Sequence, residues 1–233
     1  MNESTLLITG ANRGLGLEWV RQASADGWRV HATCRNPESA TSLQAIAQAS
    51  GGRVQVHPLE VTDQTSLAAL AAALRDTPID VLVNNAGVYG QPDGGFGKTD
   101  RAIWLKTFDI NVIAVMQLME AFAPHVAASR IRQMLAISSK MGSLADNTSG
   151  GVYVYRSAKA ALNMVVKSAS IDLAPRGITV VALHPGWVKT DMGGPNAMTE
   201  VYDSVRAMRG IAAGLGAMDA GRFIGPDGKD IPW

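Results

Sequence analysis

The stretch Leu6-Leu7-Ile8-Thr9-Gly10-Ala11-Asn12-Arg13-Gly14-Leu15-Gly16 reads as a buried strand running straight into a glycine-rich turn. The helical pattern 14–25 follows it directly. Glycine lets the backbone turn sharply there and lets an anion come close to an exposed helix N-terminus. The spacing is Gly-x-x-x-Gly-x-Gly, not the Gly-x-Gly-x-x-Gly of the broader dinucleotide fingerprint. On its own this turn is weak, since a purely structural turn has the same composition.

The rest of the chain repeats the pattern. Short apolar runs at 6–9, 29–33, 54–59, 81–84, 134–138 and 178–184 read as buried parallel strands, and 222–224 as a short seventh. Helical patterns lie between them at 14–25, 37–48, 62–75, 103–128 and 153–174. Asn36 is placed to cap the second helix before Pro37, and Thr62 or Asp63 to cap the third. Strict β-α alternation predicts an α/β fold: a single Rossmann-type, doubly wound parallel sheet of about seven strands with helices on both faces. One domain over 1–233 is expected, with the least regular stretches at 91–100, 144–151 and 193–217. Loops at the carboxyl ends of the strands are where such sheets bind ligands.

Composition agrees. The 233 residues are 47% hydrophobic and 18% charged, enough to bury a core and too apolar for wholesale disorder. The 24 glycines, about one residue in ten, exceed the usual ~7% and gather in short clusters. A net charge of +1 with no basic block gives no surface for nucleic acid or an anionic membrane. Cys34 is the single cysteine, so there is no internal disulfide; the four histidines are scattered, so no metal is expected. No apolar run reaches the ~18 residues of a membrane span, and the N-terminal residues read as a strand rather than a leader, so a cytoplasmic protein is expected.

Several residues carry chemistry. At the end of the second strand an acid would bind a ribose 2′-hydroxyl, whereas an arginine accommodates a 2′-phosphate. Cys34 takes the acid's place and Arg35 follows it, with Arg13 a second cation inside the glycine turn. Both suit phosphate through bidentate donors, or else are solvated surface charges. Asn84-Asn85-Ala86-Gly87 ends the fourth strand; the asparagines can tie neighbouring strands, and the segment is equally a plain turn. Tyr155 and Lys159 are four apart and share one helix face. An ammonium beside a phenol lowers its pKa from ~10, so the pair can exchange a proton with a carbonyl or alcohol near neutral pH. Ser139 stands at the end of the fifth strand, placed to bond the same oxygen. Such a pair alone arises often by chance.

Taken together, Thr9-Gly10-x-x-x-Gly14-x-Gly16, Asn84-Asn85-Ala86-Gly87, Asn111, Ser139, Tyr155-x-x-x-Lys159 and Pro185-Gly186 resemble the short-chain dehydrogenase/reductase family over essentially the whole chain. Within it the chain resembles the sniffer-type carbonyl reductases and C-factor-like bacterial proteins, through residues 137–143, Tyr153-x-Tyr155-Arg156-Ser157-x-Lys159, Gly221-Arg222-Phe223 and Asp230-Ile231-Pro232-Trp233. The resemblance implies that Tyr155 is the general acid/base, that Lys159 lowers its pKa and holds the nicotinamide ribose, that Ser139 polarises the carbonyl, and that Asn111 holds a water in a relay to Lys159. It implies NADP(H) as cofactor, with Gly10, Asn12, Leu15 and Gly16 at the pyrophosphate end and Arg35 with Arg13 at the 2′-phosphate. Glu60 and Val61 would lie near adenine, Asn85, Ala86 and Gly87 near the ribose, and Pro185, Gly186, Val188 and Thr190 at the carboxamide. Glu60 stands where the family usually has aspartate, and the Ser139–Tyr155 gap is longer than in many members.

The activity so implied is hydride transfer between nicotinamide and an aldehyde or ketone. The alternatives are a cofactor-binding signalling or regulatory protein with little turnover, and an NAD enzyme acting on an alcohol. A substrate loop is expected at about 191–217, and a homodimer or other homo-oligomer through the apolar faces of 103–128 and 153–174, which otherwise simply cover the sheet. Tyr89, Met141, Trp187, Met192 and Met198 either line an apolar substrate pocket or pack loops. His184 reads as a structural histidine, and Glu120 and Asp172 as ordinary helix charges.

Overall fold

In the computed structural model, which describes residues 3–233, seven parallel strands form one sheet in the order β3-β2-β1-β4-β5-β6-β7. They are β1 (Thr5–Ile8), β2 (Arg29–Cys34), β3 (Val54–Pro58), β4 (Val81–Asn84), β5 (Gln133–Ile137), β6 (Thr179–Leu183) and β7 (Phe223–Ile224). The helices are α1 (Gly14–Ala25), α2 (Thr41–Ala49), α3 (Gln64–Ala73), α4 (Arg101–Phe108), α5 (Ala114–Ala127), α6 (Tyr153–Leu173) and α7 (Val201–Gly214). The chain reverses direction across the sheet between β1 and β4, which opens a crevice at their carboxyl ends.

Alternation along each strand feeds two cores. Leu6 and Ile8 of β1 join Trp19, Val20, Leu43, Val205 and Met208 under α1, α2 and α7. Leu7 joins Leu67, Leu118, Phe122, Leu162 and Val166 under α3, α5 and α6. Both faces are therefore dry, which is why the strands are continuous apolar runs rather than alternating ones. Asp80, buried just before β4, ties three segments: its carboxylate accepts from Thr5 N at 2.9 Å, Ile131 N at 3.1 Å and Arg130 N at 3.3 Å.

Four expectations need correction. Residues 201–214, placed in an irregular stretch, form α7. The second helix begins as a separate 3₁₀ turn (Pro37–Ser39), and Asn36 makes no side-chain cap. The fourth helical segment is interrupted by a π-turn, Asp109–Ile113. Lastly, Arg101–Ala127 runs as one 27-residue helix with a window of mean hydropathy 1.3, long and apolar enough to cross a membrane by length and composition. Half of that window is buried within the protein, where Val115, Leu118, Met119 and Phe122 pack on the sheet. A helix covering a fully buried sheet acquires this composition for packing reasons alone. Asp63 does cap α3, accepting from Thr65 N at 2.9 Å.

β2 and β3 also join through side chains: His31 Nδ1 and His57 Nε2 lie 3.0 Å apart. Burial, then the charges of His57 and Arg29, holds the His31 imidazole down from 6.5 to about 4. Burial lowers His57 as well. The unfolded chain takes up the His31 proton near pH 6.5 and the folded chain only near 4, so this stability is complete above the first value and lost as pH falls toward the second. The ceiling is about 3 kcal/mol. The urea midpoint should therefore drop between pH 7 and pH 4.5, and a His31→Leu variant should show a shallower drop. An equal slope in that variant would remove His31 as a cause.

Candidate active site

A cleft of about 520 Å³ lies at the carboxyl ends of the central strands. Gly10, Asn12, Arg13, Leu15, Arg35, Glu60, Val61, Asn85, Ala86, Gly87, Tyr155, Lys159, Pro185 and Thr190 all line it. Cys34, Asp191 and Met192 also reach its wall; no motif singled out Asp191. Gly16, Asn111, Ser139, Gly186 and Val188 do not line it.

The glycine turn is held by its neighbours. Asn85 Nδ2 donates to Thr9 O at 2.8 Å and to Gly10 O at 3.1 Å, while Thr9 Oγ1 accepts from Asn85 N at 3.1 Å and Ala86 N at 3.0 Å. A Cβ at position 16 would lie 2.6 Å from Asn85 Nδ2 and against the Gly10 carbonyl, so only glycine fits. The strand tie is thus made by Asn85; the buried Asn84 amide finds no hydrogen-bond partner among the described residues. No side chain caps the N-terminus of α1, and its first turn carries no acid. That leaves its N–H groups facing the cleft, the arrangement that attracts an anion. Of the two arginines, Arg13 is ion-paired with Asp191 across the cleft mouth, whereas Arg35 enters none of the ion pairs among the described residues.

Deeper in, α6 presents Tyr155 and Lys159 together, both buried. Lys159 Nζ donates to Ile137 O at 2.7 Å and stands 5.7 Å from the Tyr155 ring centroid. Tyr89 stacks on Tyr155 with centroids 4.6 Å apart. The two adjacent serines face different ways. Ser138 Oγ is spent on Asn163, whereas Ser139 Oγ accepts from Met141 N at 3.2 Å and stands close enough to Tyr155 to pull its phenol down. Asn111 sits in the π-turn and grips the loop after β4: its Oδ1 accepts from Val88 N at 2.9 Å and its Nδ2 donates to Val88 O at 2.8 Å. π-Turns collect at functional sites.

Residues 4–200 match the family model described as short chain dehydrogenase. The chain belongs to the short chain dehydrogenase family. As a family member it is an oxidoreductase, and its relatives cover it well. The C-signal of Myxococcus xanthus is 46% identical over 165 residues, 71% of this chain and 99% of that protein. The NADPH-bound carbonyl reductase from chicken fatty liver is 34% identical with a TM-score of 0.93, each chain covered in full. The carbonyl reductase Sniffer of D. melanogaster is 33% identical with a TM-score of 0.91, again over 100% of both chains.

In this short chain dehydrogenase the electrostatics of the pair run opposite to the simple expectation. Burial pushes the Tyr155 phenol up to about 12; the Ser139 hydrogen bond pulls it down and Tyr89 pushes it up, and burial wins. Burial brings the Lys159 ammonium down from 10.5 to about 8. Lys159, itself desolvated and bonded to the Ile137 carbonyl, is not among the groups that pull the phenol down. The tyrosine is therefore a protonated phenol across neutral pH, and the lysine beside it is poised to give up or accept a proton. His184 is likewise held down to about 4 by burial and then Lys140, which keeps it neutral and structural. Among the described residues no cluster of three metal-ligating side chains occurs.

Proposed function

We propose that this chain is an NADP(H)-dependent carbonyl reductase that also runs the reverse alcohol oxidation. The observation that carries the reading is the meeting, in one cleft, of a protonated Tyr155 and Lys159, with Ser139 acting on Tyr155 from beside the wall, and the uncapped glycine turn with Arg13 and Arg35. These donors fit a dinucleotide phosphate. The α1 N-terminus with Gly10, Asn12, Leu15 and Gly16 takes the pyrophosphate, and Arg35 with Arg13 the 2′-phosphate. Glu60 and Val61 flank adenine, Asn85, Ala86 and Gly87 the ribose, and Pro185, Gly186, Val188 and Thr190 the carboxamide. Likeness to the NADPH-bound chicken reductase supports the same assignment. When bound, NADPH supplies the hydride for the carbonyl carbon.

The protein's own residues do the rest. Ser139 donates to the substrate oxygen and orients it. Tyr155 gives that oxygen its proton, and Lys159 then resupplies the phenolate, a transfer suited to an amine whose pKa burial has brought to about 8. Asn111 holds a water in a relay to Lys159, and its amide steadies the loop after β4 through Val88. Substrate selection falls to about 191–217, near the exposed Trp187, Met192 and Met198. We further expect one catalytic domain, a cytoplasmic location and a homodimer through the exposed Ile103, Leu105, Ile113, Met164 and Ile171.

The test is a titration with NADPH and NADH beside a panel of aldehydes and ketones followed by loss of NADPH absorbance. Tight NADPH binding with turnover is expected; binding of neither cofactor overturns the reading. The C-signal likeness favours one rival, a cofactor-binding signalling protein with little turnover. That rival predicts tight binding, no turnover across the panel, and no difference between wild type and Tyr155→Phe.

A further inference from the structure

Asn163 follows Lys159 by one helical turn and Tyr155 by two, so the three share the inward face of α6. It is 4% exposed. Its amide is used on both sides. Oδ1 accepts from Ser138 Oγ at 2.6 Å, and Nδ2 donates to Gly142 O at 3.3 Å. The two gripped residues bracket Ser139. Inside the bracket, Gly142 N donates to Ser139 O at 2.8 Å and Met141 N to Ser139 Oγ at 3.2 Å. The turn also lies flat on the helix: a Cβ at Gly142 would sit 2.7 Å from the Lys159 backbone carbonyl carbon. Its far end has another anchor, Ser143 Oγ donating to Pro232 O. Loss of Asn163 would therefore free the end that carries Ser139 and leave the remainder attached.

We infer that Asn163 is a positioning residue for the proposed reduction: its amide clamps the Ser138–Gly142 turn onto α6 and so sets where the Ser139 hydroxyl meets Tyr155 and the substrate oxygen. The inference rests on the carbonyl reductase reading and adds to it a residue that touches neither substrate nor cofactor. A buried turn with two unsatisfied polar groups relaxes to find other partners, and a displacement of about 1 Å at a reacting group costs as much as ~100-fold in rate.

The experiment compares wild type with Asn163→Ala and with Ser138→Ala, which removes one of the two bonds and little volume. Four readouts are taken on the whole chain: NADPH affinity by fluorescence titration, hydrogen exchange of the 138–143 peptide, kcat and KM for the carbonyl reduced fastest in the panel, and the pH profile of kcat. Asn163→Ala should lower kcat by about 10- to 100-fold and Ser138→Ala by a smaller factor. NADPH affinity should stay within about twofold. Exchange should rise in 138–143 but not in the 81–87 peptide. The alkaline limb of the pH profile, set by Lys159 as the proton source, should stay in place, because Lys159 keeps its bond to the Ile137 carbonyl. The inference is overturned if both variants keep kcat within about twofold, if the limb moves, or if kcat and NADPH affinity fall together. Should Asn163→Ala fail to fold, Ser138→Ala decides by the same criteria. A Tyr155→Phe enzyme that still turns over sinks the underlying reading, whereas an inactive Tyr155→Phe beside normal Asn163 and Ser138 variants sinks only this inference.

Discussion

In Tyr155→Phe, carbonyl reduction falls by roughly 100- to 10,000-fold while NADPH binds as it does to wild type. The change removes one oxygen and keeps the ring, so the stack on Tyr89 at 4.6 Å and the burial of the side chain survive. Lys159 keeps its bond to Ile137 O, which does not involve the phenol. The check is steady-state turnover beside a cofactor titration of the same preparation. Retained turnover would remove Tyr155 from its role; lost binding would mean that the phenol also shapes the cofactor site.

Arg35→Asp weakens NADPH binding by about 10- to 150-fold, the range expected when a charge-assisted hydrogen bond to phosphate is lost. NADH binding should hold or improve, since a carboxylate at the end of β2 can accept from a ribose 2′-hydroxyl. Arg35 is the better target of the two cations because Arg13 already has an ion-pair partner in Asp191. The pair lies at the surface, so salt weakens it. Equal NADPH affinity in wild type and Arg35→Asp, measured at low ionic strength, would refute the 2′-phosphate assignment.

The strands were legible because a sheet buried on both faces writes itself as unbroken apolar runs, as in Val180-Val181-Ala182-Leu183. Helix α7 was not. Its buried side chains, Ser204, Val205, Met208 and Ala212, make a narrow stripe, and Gly210 and Gly214 interrupt the pattern with residues that usually end helices. The π-turn was invisible because an i→i+5 register leaves no period in the sequence. The motif residues could be named from spacing, and most reach one cleft. Their titration could not be named, because the height of the Tyr155 pKa and the depth of the Lys159 pKa come from burial that only the assembled fold creates. Asn163 left one faint trace, its spacing of four from Lys159 and eight from Tyr155.

Helix α7 packs against α1, and β1 pairs with both β2 and β4. During synthesis the first strand to leave the ribosome therefore waits for residue 81 before its second edge is closed. The apolar side of α1, with Trp19 and Val20, waits further for Val205 and Met208. The end of the molecule that carries the glycine turn is made first and sheltered last. A nascent chain stalled near residue 200 would show an open, sticky flank at its own beginning, the kind of surface that holding chaperones bind.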